Sequence, residues 1–300
     1  MKNLKVLAIT AITAGLLFSC QNEDVSTIED TTTNDQQIET EVLQALQKLY
    51  FNPKVIKKDK MVTFEGTTLE GYLLEDDIFM TKEQIFEMLE NDQKPLEDVQ
   101  LGAKQYRTRN LVRQNATIVV MGYTGGQVRA EGGSRTANGL TANMQTGFQR
   151  AIDNYNNVGN GFNLRFEGFL SSNTADAARA DIIVYNTPAS GAGGSAGFPS
   201  GGNPFRYVRI NSPMANLNGN VNEFVIAHEI GHCIGFRHTD YFSRQSCGQN
   251  VNEGDGGIGA IRIPGTPAGF DATSYMVSCF STQTDGEFNE NDKIALREMY

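Results

Sequence analysis

The sequence predicts an α+β protein, with an α/β-type portion ahead of a loop-rich C-terminal portion. Three observations point there. Short runs rich in β-branched residues recur at Thr117–Met121, Asp181–Tyr185 and Tyr207–Asn211, as buried strands do. Between the first two, Leu140, Met144, Phe148, Ile152 and Tyr155 repeat at intervals of three and four, which predicts a helix over 140–157 laid against a sheet. Past His238 no long periodic run appears. Glycines at 254, 256 and 257 and prolines at 264 and 267 break the chain until a final helix, capped by Asn289 and carried by Ile294, Leu296 and Met299.

In order from the start, residues 1–19 read as an export signal. Lys2 and Lys5 make a basic beginning, and Val6–Phe18 is apolar but too short to span a bilayer. Leu17-Phe18-Ser19-Cys20 resembles a bacterial lipobox, in which cleavage before Cys20 leaves a cysteine that takes up lipid. An ordinary secretory signal with an incidental Cys20 is the alternative. Residues 20–40 are acidic, polar and Thr-rich, so they bury little and read as a flexible tether. The expected location is therefore the cell envelope, at the outer membrane or surface of a Gram-negative bacterium, with the membrane engaged through N-terminal lipid. A net charge of −10 argues against unaided nucleic-acid binding.

Residues 41–113 read as a pro-region or accessory subdomain. Val42, Leu46, Leu49 and Tyr50 have helical spacing, Val62–Leu74 reads as strands broken at Gly66 and Gly71, and Thr81 with Gln84 forms a capping box before a second helix. The segment 104–109 is basic and polar, suited to linking or processing. The main domain is then 114–300. Within it Phe162, Leu164, Phe166 and Gly168 alternate as in a strand, and Gly-rich 190–204 lacks the lysine and helix of a phosphate loop. A helix from Asn220, with Glu223 at its third position, leads into Val225–Asp240.

That stretch reads VIAHEIGHCIGFRHTD and holds all three histidines of the chain. His228 and His232, four apart on a helix, leave from one face. Gly235 allows a turn that brings His238 back. Three imidazoles leave a fourth corner open, the pattern of a catalytic zinc site, with Glu229 placed to reach a metal-bound water without binding the metal. Cys233 points about 100° away on the helix and is read as buried, not as a ligand.

At these residues the sequence resembles the metzincin zinc peptidases, whose signature is HExxHxxGxxH with a later methionine turn. The HEIGH wording is similar to the bacterial dual-action HEIGH metallopeptidases. The resemblance implies a twisted, mostly parallel sheet with an antiparallel edge strand, an active-site helix, and a loop-rich C-terminal part with the turn and a final helix. It implies one catalytic Zn2+, Glu229 as general base, and a turn at Ser274–Val277 with Met276 beneath the metal. It places the substrate-pairing edge strand at Ser195, Ala196, Gly197 and Phe198. Three departures stand out: Thr239 follows the third histidine, Ser278 stands where some subfamilies have tyrosine, and residues 21–115 lack the cysteine of a cysteine switch. A carboxylate of Glu75, Asp76 or Asp77 could instead reach the metal, as aspartate switches do; a solvated acidic turn is the commoner arrangement. Of the cysteines at 233, 247 and 279, the pair Cys247–Cys279 is preferred, because it would fasten the loop after His238 to the methionine turn. The implied function is zinc-dependent endopeptidase action on proteins or peptides by a monomer. The rival is a catalytically silent surface-binding lipoprotein.

Overall fold

A computed structural model describes residues 38–92, 105–129, 135–249, 260–266 and 269–300. The export signal, Cys20, most of the tether, Lys104, the glycines at 254–257 and Pro267 lie outside the described residues. Among the described residues no helix is long and apolar enough to cross a membrane.

The N-terminal part opens with α1 (Thr40–Lys48), which buries Val42, Ala45 and Leu46. An antiparallel meander follows: β1 (Lys57–Val62), β2 (Thr68–Leu74) and β3 (Ile78–Met80). The meander begins earlier than the sequence expectation. Gly66 does break it, in a turn at φ +95°. Gly71 does not: it lies inside β2, where a Cβ would come within 2.4 Å of the Met80 carbonyl oxygen. The glycine is there so that β3 can approach, not to end a strand. Next comes α2 (Lys82–Asp92), with the expected capping box: Gln84 N donates to Thr81 Oγ1 at 3.3 Å and Thr81 N to Gln84 Oε1 at 2.9 Å. Leu46, Leu49, Phe51, Ile78, Ile85 and Phe198 share a core of their own.

The segment expected to link or be processed is instead a strand, β4 (Tyr106–Arg107), with Gln105, Tyr106 and Thr108 buried. Its basic residues misled because its pairing partners are distant in sequence. They are β12 (Phe236–Arg237) and β13 (Ile261–Arg262), which flank it on either side.

The main sheet uses β5 (Thr117–Tyr123), β8 (Arg165–Ser171), β9 (Ile182–Thr187), β10 (Gly194–Ser195) and β11 (Tyr207–Asn211), in the order β10-β11-β9-β5-β8. Every neighbouring pair is parallel except β10 with β11, which is antiparallel at the edge. A two-stranded ribbon, β6 (Val128–Arg129) with β7 (Arg135–Ala137), packs against it, with Asn138 just past β7 bridged to Asn186 of β9. The protein is thus mixed α+β with a mostly parallel central sheet. Against that sheet lie α3 (Ala142–Asn156) and α4 (Gly219–Cys233), sharing one core from Met144, Phe148, Ile152 and Tyr155 to Val225, Ile226 and Ile230. The last helix, α5 (Glu290–Met299), has a full capping box between Asn289 and Asp292.

Candidate metal centre

Asn218, not Asn220, caps α4: its side chain accepts from Val221 N at 3.0 Å. Glu223 does not reach back to the cap as expected. Its carboxylate accepts from Asn154 Nδ2 at 2.9 Å, because α3 crosses there. From Val221 to Cys233 every residue of α4 is buried, as suits a helix enclosed on all sides.

The helix ends at Gly235, whose φ of +111° lies in the left-handed region. A side chain there would also strike Leu111 at 2.7 Å. The turn carries the chain into β12 and returns His238 to the helix face. The Nε2 atoms of His228, His232 and His238 then lie 3.0 to 3.2 Å from one another.

Each ring is fixed from behind. Nδ1 of His228 meets the Tyr275 carbonyl at 2.8 Å, Nδ1 of His232 the Phe236 carbonyl at 2.8 Å, and Nδ1 of His238 the Glu75 carboxylate at 2.6 Å. An oxygen acceptor beside each Nδ1 means Nδ1 carries the hydrogen, so Nε2 offers its lone pair. Three inward lone pairs repel unless a cation sits among them. Burial alone would lower His238, but the Asp77 and Glu75 carboxylates hold it up to about 10, so this ring keeps a cation beside Asp77, a proton on Nε2 wherever no metal takes that place. Burial, then the neighbouring His228 and His238, push His232 well below its ordinary value. Buried Glu229 Oε2 and Asp77 Oδ1 have no hydrogen-bond partner. These residues fit a metal ion, and Asp77 with the three histidines forms a group whose ligand atoms all lie within 4.8 Å.

Of the two arrangements expected for the acidic trio, Asp77 takes the less common one: it joins the histidine cluster, and the trio is not a solvated turn. Asp77 Oδ2 lies 2.9 Å from His238 Nε2 and 3.4 Å from His228 Nε2, which makes its carboxylate a fourth potential ligand beside the three imidazoles. Glu75 is buried and accepts from Arg237 at 2.5 Å as well as from His238. Burial opposes its charge, yet Arg237 and His238 hold its carboxyl down to about 2. Asp76 is the most exposed of the three, and Arg244 meets it at 3.3 Å. Glu75 and Asp76 both adopt left-handed backbone angles, at φ 52° and 72°, which non-glycine residues hold only where their surroundings insist. The available signal was the trio's flanks, Leu73-Leu74 and Ile78-Phe79, apolar on both sides as in a segment that is inserted.

Glu229 is buried beside Gly194, and burial followed by Asp77 raises its carboxyl well above the ordinary range. Met276 is fully buried, and its Sδ would lie 2.5 Å from a Cβ at Gly231, directly under the metal-facing turn of α4. Its carbonyl accepts from Thr239 N at 2.8 Å, tying the residue after His238 to the turn. Ser278 donates to Asp240 at 2.9 Å and takes no part in the histidine cluster. Cys247 and Cys279 are disulfide-bonded, and Cys233 is free, buried and outside the ligand group.

The edge strand is shorter than expected. Only Gly194 and Ser195 pair with β11, while Ala196 pairs on its other side with Ile78. Phe79 N donates to the Ala196 carbonyl at 2.6 Å, and Ala196 N to the Asp77 carbonyl at 3.0 Å. Gly197 sits against the Phe79 carbonyl, and Phe198 turns into the N-terminal core. The chain's own segment thus already occupies the free side of that edge. A cavity of about 650 Å3 runs beside it, lined by Ser195, Arg209, Phe224, His228, Glu229 and Val277 among others.

A family model described as "Dual-action HEIGH metallo-peptidase" matches residues 72–300. No curated protein matches the chain. Two solved structures, entitled "Crystal structure of myroilysin" and "Structure of myroilysin", are similar over 64% of this chain. The first is 13% identical with a TM-score of 0.36 and 86% of its own chain covered. The second is 15% identical with a TM-score of 0.38 and 96% covered. The family match takes in Glu75, Asp77, the three histidines, Glu229 and Met276 alike, and the chain belongs to the dual-action HEIGH metallopeptidases.

Proposed function

We propose that the chain is a zinc-dependent metalloendopeptidase, exported and held at the bacterial envelope by lipid on Cys20, and that the arrangement described is its self-blocked form. The convergence of three Nε2 atoms on one point beside Glu229 carries this reading.

His228, His232 and His238 would hold the zinc, which when bound acidifies a water and polarises a peptide carbonyl. Glu229 takes the proton of the attacking water and returns it to the leaving amine. Tyr275, Phe236 and Glu75 keep the three rings aimed through their Nδ1 contacts. Met276 gives the helix turn beneath the site a firm apolar floor. Gly194 and Ser195, with the Ala196 carbonyl, supply main-chain pairing for an extended substrate once residues 77–79 withdraw. Until then Asp77 would stand as a fourth ligand where a water is needed, and β3 would stand in the substrate's place.

The test uses unfolded casein with the zinc-loaded chain. The expected result is cleavage that a chelator abolishes and that Glu229→Gln loses while keeping its zinc. Cleavage surviving in Glu229→Gln would end the assignment. A silent binding protein would cut nothing in any form.

A further inference from the structure

The whole chain is acidic, at −10, yet the cleft wall supplied by residues 114–300 is not. Its charged members are Arg209, Arg244 and Glu229, together with His228 of the metal group. Opposite them stand Asp59, Glu75, Asp76 and Asp77 of the N-terminal part, with Lys57. Two arginine pairs cross between the sets. Arg209, on β11, gives Nη2 to Asp59 Oδ2 at 3.1 Å and Nε to Ser195 Oγ at 2.9 Å. Arg244 gives Nη2 to Asp76 Oδ2 at 3.3 Å and Nη1 to the Glu75 carbonyl at 3.3 Å. Arg209 is 14% exposed and Arg244 3%, so neither is a solvated surface charge.

We propose that the cleft selects acidic polypeptides, with Arg209 as the specificity-determining residue that receives a substrate carboxylate beside the edge strand. The inference rests on the peptidase reading and deepens it. Asp59 occupies the position such a side chain would take. When the N-terminal segment withdraws, the Arg209 guanidinium loses both its Asp59 partner and part of its cover, and stands in the opened cleft as an unpaired cation. A carboxylate on the incoming chain restores the pair, whereas a lysine or arginine there meets like charge. Arg209 is the better placed of the two cations. It stands on a sheet strand, opposite Ser195 in the β10–β11 register, in the same cavity as Glu229. Arg244 extends the positive wall on the side of the loop after His238.

The test uses the zinc-loaded full chain carrying Asp59→Ala and Asp77→Ala, which frees Arg209 of its carboxylate partner and takes the Asp77 carboxylate out of the histidine group. It is given matched peptides that differ only by Glu or Lys near the cut, with unfolded casein, which offers bonds in many sequence contexts, to report whether the chain cuts at all. The expected kcat/KM favours the Glu peptide by about tenfold or more, the discrimination one ion pair can supply. Arg209→Gln brings the ratio near unity and Arg209→Glu inverts it. Equal rates for the two peptides while casein is cut would overturn the inference and leave the peptidase reading intact. An unchanged ratio in Arg209→Gln would overturn it as well. Casein left uncut by every form would sink the peptidase reading itself. Anisotropy of the same peptides on Glu229→Gln, with Asp59→Ala added, then decides the inference separately: tighter binding of the Glu peptide upholds the cationic cleft, and equal binding overturns it.

Discussion

The C-terminal end of α4 and the segment from β1 to β3 meet at one point, yet they were unequally readable. Everything the helix end contributes is local. His228, Glu229, His232, Gly235 and His238 lie within eleven consecutive residues, and helical spacing plus one glycine turn sets their directions. The segment from β1 to β3 contributes Glu75 and Asp77 from more than 150 positions away (|i−j| of 163 and 161 to His238). No periodicity spans such a gap. The difference teaches that chemistry written in one motif can be read before folding. What closes the site depends on a tertiary encounter, so the residues alone left two arrangements of the acidic trio open, a carboxylate at the metal or a solvated turn.

Four changes probe that contrast. The largest effect is expected on the local side: Glu229→Gln should lower kcat by about 10² to 10⁴ with metal content unchanged, since it removes the proton acceptor alone. Next, Leu46→Ala should weaken the N-terminal core, where Leu46 is fully buried, by about 2–5 kcal/mol. If the block depends on that core, thermal denaturation will show the loss and a quenched peptide will report faster cleavage; unaltered cleavage would separate core from block. Third, Asp77→Ala should raise the basal activity of the full chain by about tenfold, read on the same peptide, because the metal's fourth corner opens. No gain there would mean that β3 alone obstructs the cleft.

The smallest effect belongs to Glu223, again on α4. Burial, then the nearby Glu287, raises its carboxyl to about 7. A carboxyl whose folded value lies above its unfolded 4.5 costs nothing below pH 4.5. The cost then grows with pH up to about 7, because the unfolded chain ionises first. Glu223→Gln keeps the acceptor for Asn154 and removes the charge. Its melting temperature should therefore exceed that of the parent by a few degrees at pH 8, and by nothing at pH 4. An equal gain at both pH values would point to packing instead.

Legibility followed the same division across the fold. Thr117–Met121, Asp181–Tyr185 and Tyr207–Asn211 all appear as strands of the central sheet, and the helices over 142–156 and 290–299 appear where apolar spacing and Asn289 put them. These are elements whose own residues dictate burial. The segment 104–109 read as a polar linker because Arg107 and Arg109 dominate it, whereas its fate as β4 was decided by β12 and β13. Glu223 looked like a capping partner until α3 offered Asn154. The acidic trio looked solvated because three consecutive carboxylates are costly to bury without partners. Those partners, Arg237, Arg244 and His238, come from the far end of the chain.

The account rests on one ion gripped by His228, His232 and His238 and capped by Asp77. X-ray absorption at the zinc edge, with metal quantified in the same samples, tests this directly on the full chain and on Asp77→Ala. The predicted result is one zinc per chain in both, with three imidazole nitrogens and a carboxylate oxygen in the parent, and a water oxygen in place of the carboxylate in the variant. Zinc well below one per chain, or fewer than three imidazoles around it, would contradict the account.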